Sequence, residues 1–561
     1  MNSDLSVLIV GGYGTFGGRI VELLEDEPRL LLYIAGRSLA RACAYCKTRD
    51  KAKARFVPAI FDRDGDLSAQ LVPLRPHILV DASGPFQTYG QDRYRVIEAC
   101  IGQGIHYLDL ADGSDFVQGV HAFDPAARAA GVLVLSGVSS FPVLTAAAVR
   151  GLSAGMVRVT AIRGGIAPSP YAGVGTNVIR AIAGYAGQPC TLRRNGRPAV
   201  GHPFTDHMRF TIAPPGRLPL CNTLFSLVDV PDLRALADLW PEASGIWMGA
   251  GPVPEPLHRA LVALAWLVRL RLIRSLLPLA PLMHLASNHL AWGEHRGGMF
   301  VEVDGVLASG TSTRRSWHLL AEGDDGPLIP SMAVDALVRK ILEGRMPPAG
   351  ARAAVRELEL DDYEELFASR TIHVGTRNAE DDDAPLYPGL LGAAWQDLPV
   401  EIRAMHAVDN AASAEGCASV QRGTGLIARL VAAVIGFPGA TADTAVSVQF
   451  NAVGEAETWT RTFGNKSFSS RQFAGRGRSE RLLCERFGPL TFAMALVPEE
   501  GRLRLVLRRW SAFGVPLPMW LCPRSNSHES AEDGRFNFHV EISHPLTGLI
   551  VCYRGWLVRT R

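Results

Sequence analysis

Along residues 5–140, short apolar runs alternate with amphipathic ones. The apolar runs predict strands at Leu5–Val10, Leu31–Ala35, Arg55–Ile60, His77–Asp81, Ile105–Leu108 and Val132–Leu135. Helical periodicity falls between them, as at Thr15–Glu25 and Asp92–Gln103. Strands and helices in strict alternation predict a doubly wound parallel α/β sheet. From about residue 141 the pattern changes. A helix is expected over Pro142–Leu152, followed by longer strands at Arg158–Ile166, Arg209–Ala213, Met299–Val303 and Arg315–Ala321. Asn195-Gly196 marks a hairpin turn. A helix over Ser331–Leu342 closes what reads as an inserted α+β domain, residues 141–345.

Residues 346–385 begin with Pro347-Pro348 and end near the acidic run Glu380–Asp383, and they read as a linker. A separate unit is expected over 386–561. It has one helix, Gly425–Ile435, and then mostly strands: Thr444–Val453, Glu457–Phe463, Ser479–Phe487, Leu490–Leu496, Leu503–Ser511, Arg535–Ile542 and Leu549–Leu557. This alternation predicts a mainly antiparallel sheet gripping one helix.

At 561 residues and 47% hydrophobic, the chain is long enough for several domains with large cores. A net charge of +2 gives no reason to expect nucleic acid as a partner. The nine cysteines are odd in number and irregularly spaced, and no leader segment is evident. Reduced thiols and a cytoplasmic location are the expectation. Cys43 and Cys46 form one C-x-x-C without a second pair nearby, so no metal site is predicted.

The segment Val7–Leu24 reads VLIVGGYGTFGGRIVELL. Its G-x-G-x-x-G lies between an apolar strand and a helix, which is the context that makes the motif informative. Gly12 permits the tight turn, Gly14 admits a pyrophosphate close to the backbone, and Gly17 lets helix and strand pack closely. Thr15 and Phe16 complete the turn, where helix-start N–H groups face phosphates. The 1–140 region therefore reads as a Rossmann dinucleotide-binding domain. Its second strand ends Ala35-Gly36-Arg37-Ser38, where an NAD site usually places a carboxylate. Arg37 and Ser38 suit a 2′-phosphate, so NADP is the expected cofactor. Topology puts Asp62, after the third strand, near the adenine. It puts Ala82, Ser83, Gly84 and Pro85, after the fourth, along the nicotinamide half.

GGYGTFGG (11–18), AGRS (35–38), VDASGPF (80–86), VIEACIGQGIHYLDLADG (96–113) and GVSSFP (137–142) together resemble the saccharopine dehydrogenase-like (saccharopine reductase) family. The resemblance spans roughly residues 1–345 and implies a Rossmann domain with an inserted α+β domain and NADP use. LYPGLLGAAWQDLP (386–399), WTRTFGNKSF (459–468), RRWSAFGVPLP (508–518) and HPLTGLIVCYRGWL (544–557) resemble DUF4166, a domain of unknown function that implies no chemistry. Saccharopine-forming enzymes take a substrate with several carboxylates, and no matching set of basic residues is found here. Some relatives resemble trans-acting enoyl reductases that act on lipid chains.

The chain has five lysines, none between 54 and 339, and no Tyr followed by Lys four residues later. A proton donor in the substrate domain is then Tyr, His, Asp, Ser or water. The best cluster is His106-Tyr107-Leu-Asp109-Leu-Ala-Asp112, running past the C-terminal end of the fifth strand, where open α/β sheets bind ligands. Tyr107 or Asp112 is the candidate donor. The bland alternative packs Tyr107 in the core and has Asp109 and Asp112 fix the loop.

Leu257–Trp292 is dominated by Leu, Ala, Val and Ile, but Arg269, Arg271 and Arg274 interrupt its middle and Pro278 and Pro281 break its second half. A spanning helix is disfavoured. A buried pair or homodimer contact, a peripheral contact with the inner face of a membrane, and a lid over an acyl substrate remain open. Two functions stand. One is an NADP-dependent oxidoreductase transferring hydride to a C=N, C=O or activated C=C bond of a small, apolar, lipid or acyl substrate. The other is a non-enzymatic protein that binds NADP and lipid, with Trp459, Phe463, Phe468, Trp510 and Trp520 lining a C-terminal pocket.

Overall fold

A computed structural model describes residues 5–379, 384–408 and 410–560; the acidic run 380–383 lies outside the described residues. The chain divides into two compact units, residues 1–208 with 224–373, and residues 209–223 with 374–561.

The first unit is built on a parallel sheet. Its strands are β1 (Leu5–Val10), β2 (Leu30–Gly36), β3 (Arg55–Ile60), β4 (Ile78–Asp81), β5 (His106–Asp109) and β6 (Leu133–Ser136), with helices α1 (Thr15–Leu24), α2 (Leu39–Lys47), α3 (Leu67–Leu74) and α4 (Arg95–Gln103) among the crossovers. β1 is buried from Ser6 to Val10, as expected of a strand covered on both faces. α1 turns Ile20, Val21, Leu23 and Leu24 into that core. The chain continues into a second body, with a sheet of its own, made of β7 (Met156–Ala167), α5 (Thr176–Tyr185), β8 (Gly245–Ala250), α6 (Glu255–Arg269), α7 (Ala280–His289), β9 (Arg296–Leu307), β10 (Ser312–Glu322) and α8 (Ile329–Leu342). β7 runs parallel to β8 and antiparallel to β9, so this sheet is mixed. The Asn195-Gly196 turn joins Cys190–Arg194 to Arg197–Gly201 in the expected hairpin.

The chain then returns to the first sheet. β11 (Gly350–Ala353) pairs parallel with β6, giving the order β11-β6-β5-β4-β1-β2-β3. The α+β body is therefore an insertion between two strands of one sheet. The expected linker over 346–385 is corrected here. Gly350–Ala353 is a sheet strand, and the helix Asp361–Ala368 buries Tyr363 and Phe367. A strand reading Gly-Ala-Arg-Ala, one residue after two prolines, carries no apolar run to betray it.

The second unit holds α9 (Leu386–Leu391), α10 (Val400–His406), β12 (Ala411–Arg422), α11 (Leu426–Ile435), β13 (Thr441–Val453), β14 (Ala456–Phe463), β15 (Lys466–Ala474), β16 (Leu483–Phe487), β17 (Leu490–Glu499), β18 (Arg502–Ala512), β19 (Arg524–Glu532), β20 (Arg535–His544) and β21 (Gly548–Arg559). Neighbours run antiparallel in the order β17-β16-β15-β14-β13-β12-β21-β20-β19-β18, and β18 pairs back onto β17. The expected antiparallel sheet is thus a closed barrel, which leaves no long free edge. The two residues Val515–Pro516 hang on β18.

Candidate functional site

The first sheet reverses its strand order at β1, which has β2 on one side and β4 on the other. Ligands bind in open α/β sheets in the crevice beyond such a reversal. Here the glycine turn fills it. The N–H groups of Gly11 and Gly12 donate to Ala35 O at 2.8 and 3.1 Å, and Gly14 N–H donates to Gly11 O at 2.8 Å. Gly11 has φ +78° and lies against the backbone of Ala82 and Ser83. At Gly17 a Cβ would stand 2.1 Å from Gly11 O, so only glycine lets α1 start this close to the turn. Gly14 caps α1 without any side-chain hydrogen bond, and Gly14 and Thr15 are exposed. The helix start is therefore open to an anion. This small-residue cradle fits a dinucleotide pyrophosphate.

Arg37 is exposed at the end of β2, and the Ser38 hydroxyl accepts from Arg41 N–H at 3.4 Å to cap α2. Two neighbours here were not anticipated from sequence. Tyr13 lies over Gly36, where a Cβ would meet its hydroxyl at 2.4 Å, and that hydroxyl accepts from Ser38 N–H at 3.1 Å. The Arg41 guanidinium sits over the Tyr13 ring, 5.1 Å from its centre. Tyr13 is the variable residue inside the motif, and Arg41 is one helical turn beyond Ser38. That spacing was the available signal. Asp62 closes its own loop, its carboxylate accepting from Asp64 N–H at 3.2 Å.

The Ala82–Pro85 loop follows β4. Ser83 donates its hydroxyl to Asp81 at 2.6 Å and shares a 2.8 Å hydrogen bond with Tyr89. The inserted body reaches this loop: Asn177, at the start of α5, donates to Gly84 O at 2.9 Å, and Arg19 of α1 donates to Ala172 O at 3.1 Å. The crevice thus has a floor of strand ends and a wall from α5.

Tyr107 is corrected as a candidate donor. It is 1% exposed inside the sheet core, where burial raises its phenol well above the usual value. Asp109 is buried too. One of its oxygens accepts from Ala111 N–H (2.9 Å), Gly137 N–H (2.8 Å) and the Ser136 hydroxyl (2.9 Å), fastening the ends of β5 and β6 together. Burial pushes its carboxyl up to about 7. Asp112 is in a different position. Gln87, just beyond the Ala82–Pro85 loop, donates to it at 2.8 Å, and burial with the nearby Asp229 carboxylate raises its pKa above the ordinary range. Cys43 and Cys46 are free thiols on α2.

Residues 7–135 match the family described as saccharopine dehydrogenase NADP binding domain. The first unit carries a domain of that family. Residues 398–557 match DUF4166, a domain of unknown function, which is the barrel. Comparison with curated proteins found no match. Among solved structures, the chain is similar to apo saccharopine dehydrogenase (L-Glu forming) from Saccharomyces cerevisiae, at 13% identity and TM-score 0.49, over 67% of this chain and 100% of that one. It is also similar to the WlbA (WbpB) dehydrogenase from Thermus thermophilus in complex with NAD and alpha-ketoglutarate, at 12% identity and TM-score 0.29, over 64% and 94%. The saccharopine dehydrogenase-type domain makes the first unit an NAD(P)-binding fold of the oxidoreductase kind.

The 257–292 segment forms α6 and α7 in this unit, and among the described residues no helix is long and apolar enough to cross a membrane.

Proposed function

We propose that the protein is an NADP-dependent oxidoreductase of the saccharopine dehydrogenase-like type. The observation that carries the choice of NADP is the end of β2, where Gly36-Arg37-Ser38-Leu-Ala-Arg41 offers two exposed guanidinium groups and no carboxylate. A 2′-phosphate is matched by such groups; a bare ribose diol is not. When bound, NADPH would supply a hydride to a C=N, C=O or activated C=C bond.

Gly12, Gly14, Thr15, Phe16 and Gly17 would hold the pyrophosphate. Asp62 would border the adenine, and Ala82–Pro85 would border the nicotinamide half. Asp112 has its carboxyl pKa raised by burial, which favours the protonated form. It stands beside the loop that would carry the reacting end, and in this reading it protonates the reduced substrate. An apolar substrate is favoured by the surface of α7, where Leu282 and Leu285 are 63% and 53% exposed, and by the turn after α6, where Leu270 and Leu272 are 60% and 68% exposed beside Arg271. Such a surface suits work at a lipid interface, by peripheral contact with a membrane. A second copy of the chain on this face is the competing reading.

The test is a fluorescence titration with NADPH and NADH, followed by NADPH oxidation with enoyl, carbonyl and imine compounds carrying apolar chains. Preferred NADPH binding with turnover supports an oxidoreductase. Binding without turnover of any of them supports the alternative, a protein that binds NADP and lipid without catalysis.

A further inference from the structure

The barrel of the second unit is hollow. Its cavity is about 150 Å³ in volume. Inward-facing side chains from strands all round it, among them Val448, Phe463, Phe492, Leu507, Phe538 and Ile542, make the wall apolar. A dry apolar cavity of this volume is large enough to take a benzene-sized group. Of the aromatic residues expected at such a pocket, Trp459 and Phe463 line it. Phe468 is buried beside Phe463, Trp510 stacks on the lining residue Phe492 with 6.2 Å between ring centres, and Trp520 is exposed.

One end is sealed. Tyr387 of α9 stacks on His406 of α10 at 3.8 Å between ring centres, and His406 is hydrogen-bonded to Glu529 at 2.6 Å. Next to this plug the lining turns polar. Arg461 donates to Glu485 at 3.0 Å and to the Ser470 hydroxyl at 2.8 Å, Gln472 donates to Glu485 at 3.2 Å, and the Tyr387 hydroxyl donates to Gln472 at 3.0 Å. The charge of Arg461 is matched by Glu485, and Glu529 beside them is hydrogen-bonded to His406, so the patch has hydrogen-bonding groups but no cation in excess. A carboxylate brought here would face Glu485 without an unpaired cation of its own. A hydroxyl or carbonyl asks only for a hydrogen bond.

The opposite side has an entrance. β18 pairs with β17 over the full run from Arg502 to Ala512, and β19 pairs with β20 from Arg524 to Glu532. Yet β18 and β19 meet at only three rungs, Leu503–Glu529, Arg504–His528 and Leu505–Ser527. Beyond Leu505 the two strands part. A second cavity of about 260 Å³ occupies that seam and shares Leu505, Leu507, Pro523, Ser525 and Ser527 with the first. The connecting segment beside the seam exposes Phe513 (84%) and Trp520 (75%). Inner-wall residues Ser525 and Ser527 also explain why β19 is polar on both faces.

We propose that the barrel binds one neutral apolar molecule, a ring or branched chain bearing a single hydroxyl or carbonyl, which enters between β18 and β19 and seats its polar group against Arg461, Gln472 and Tyr387. This site stands apart from the dinucleotide crevice and does not depend on the oxidoreductase reading.

The test uses the full chain and the neutral fluorophore N-phenyl-1-naphthylamine. Saturable binding of one probe per chain is expected. Val448→Trp and Ile542→Trp fill the cavity from different strands, and each should weaken binding about tenfold or more, while NADPH binding and the thermal midpoint stay near wild type. Cyclohexylmethanol should displace the probe from the wild-type protein at a concentration about tenfold below that of ionised cyclohexanecarboxylate. The displacement needs no variant, so a misfolded substitution leaves it intact. Non-saturable binding, or binding unchanged in folded filling variants, would place the probe on an outer surface and overturn the site. Cyclohexanecarboxylate displacing better than the alcohol would overturn the neutral head group.

Discussion

Gly17 faces the carbonyl of Gly11 so closely that a Cβ there would lie 2.1 Å from the oxygen and 2.6 Å from its carbon. Neither is the end of a flexible side chain, so the turn itself would have to move. Gly17→Ala should therefore destabilise the unit by about 1–3 kcal/mol, the usual range for overpacking. It should also weaken NADPH binding more than it lowers stability alone would explain. The neighbouring Gly18 is the control, because a Cβ there would sit 3.4 Å from the movable Tyr45 hydroxyl. Urea unfolding and fluorescence titration of the two variants check this; equal effects at 17 and 18 would sink it.

Cofactor choice should rest on the charges at the end of β2. Arg37→Ala and Arg41→Ala are each expected to cost about 1.5–3 kcal/mol of NADPH binding, the range for a hydrogen bond to a charged group, and to leave NADH binding unchanged. Ser38→Ala should act differently, because its hydroxyl caps α2. It should lower thermal stability by about 1 kcal/mol as well as weaken NADPH. Losing NADPH and NADH affinity together in the arginine variants would show that they act on the fold and not on the phosphate.

The parallel sheet was legible because its strands are continuous apolar runs and its turn is a glycine pattern bounded by a strand and a helix. Tyr13 and Arg41 were not, since what places them over Gly36 and next to Ser38 is packing across the ends of two elements. Tyr107 misled for a related reason. Strand alternation gives a side chain's face, but both faces of this sheet are covered, so neither opens on the crevice. In the barrel, the strands that escaped prediction share one property. β12 reads AASAEGCASVQR, and its small residues let β21 approach so closely that a Cβ on Gly416 would lie 1.9 Å from Trp556 O. β19 reads RSNSHESAE, with serines facing the cavity in place of apolar side chains. β15, which reads KSFSSRQFA, escaped as well. Without these three strands the segment reads as an open sheet, and closure through β17 and β18 is a pairing that no local pattern announces.

Asp109 should make stability fall as pH rises from about 4 to about 7. Its native carboxyl titrates at about 7, above the ordinary carboxylate value near 4. Between those values the native state holds a proton that the unfolded state has lost, so stability declines with rising pH across the window, by ~1.4 kcal/mol per unit of difference at most. Asp109→Asn keeps an oxygen to accept from Ala111, Gly137 and Ser136 but has no proton to lose. Relative to wild type, the variant should gain stability from about pH 4 to about pH 7 and hold that gain above it. Urea unfolding across this range measures the difference; parallel curves would mean that Asp109 does not titrate in the window.

Tyr107 and Asp112 were equal candidates on sequence grounds, and kinetics should separate them. Tyr107 is enclosed in the sheet core, so Tyr107→Phe should leave both turnover and NADPH affinity within about twofold of wild type, as expected of a residue outside the chemistry. Asp112 sits beside Gln87 and the loop after β4, with burial raising its pKa above the ordinary carboxylate value. As the general acid it must be protonated to work, so wild-type turnover should fall as pH rises through its elevated pKa. Asp112→Asn should lower turnover by about 10²–10⁴, the usual worth of a positioned acid, and should abolish that alkaline fall while sparing NADPH binding. If the variant loses turnover and cofactor affinity in proportion, Asp112 shapes the loop. If it keeps wild-type turnover with the alkaline fall intact, the proton comes from solvent or from another group on the crevice wall.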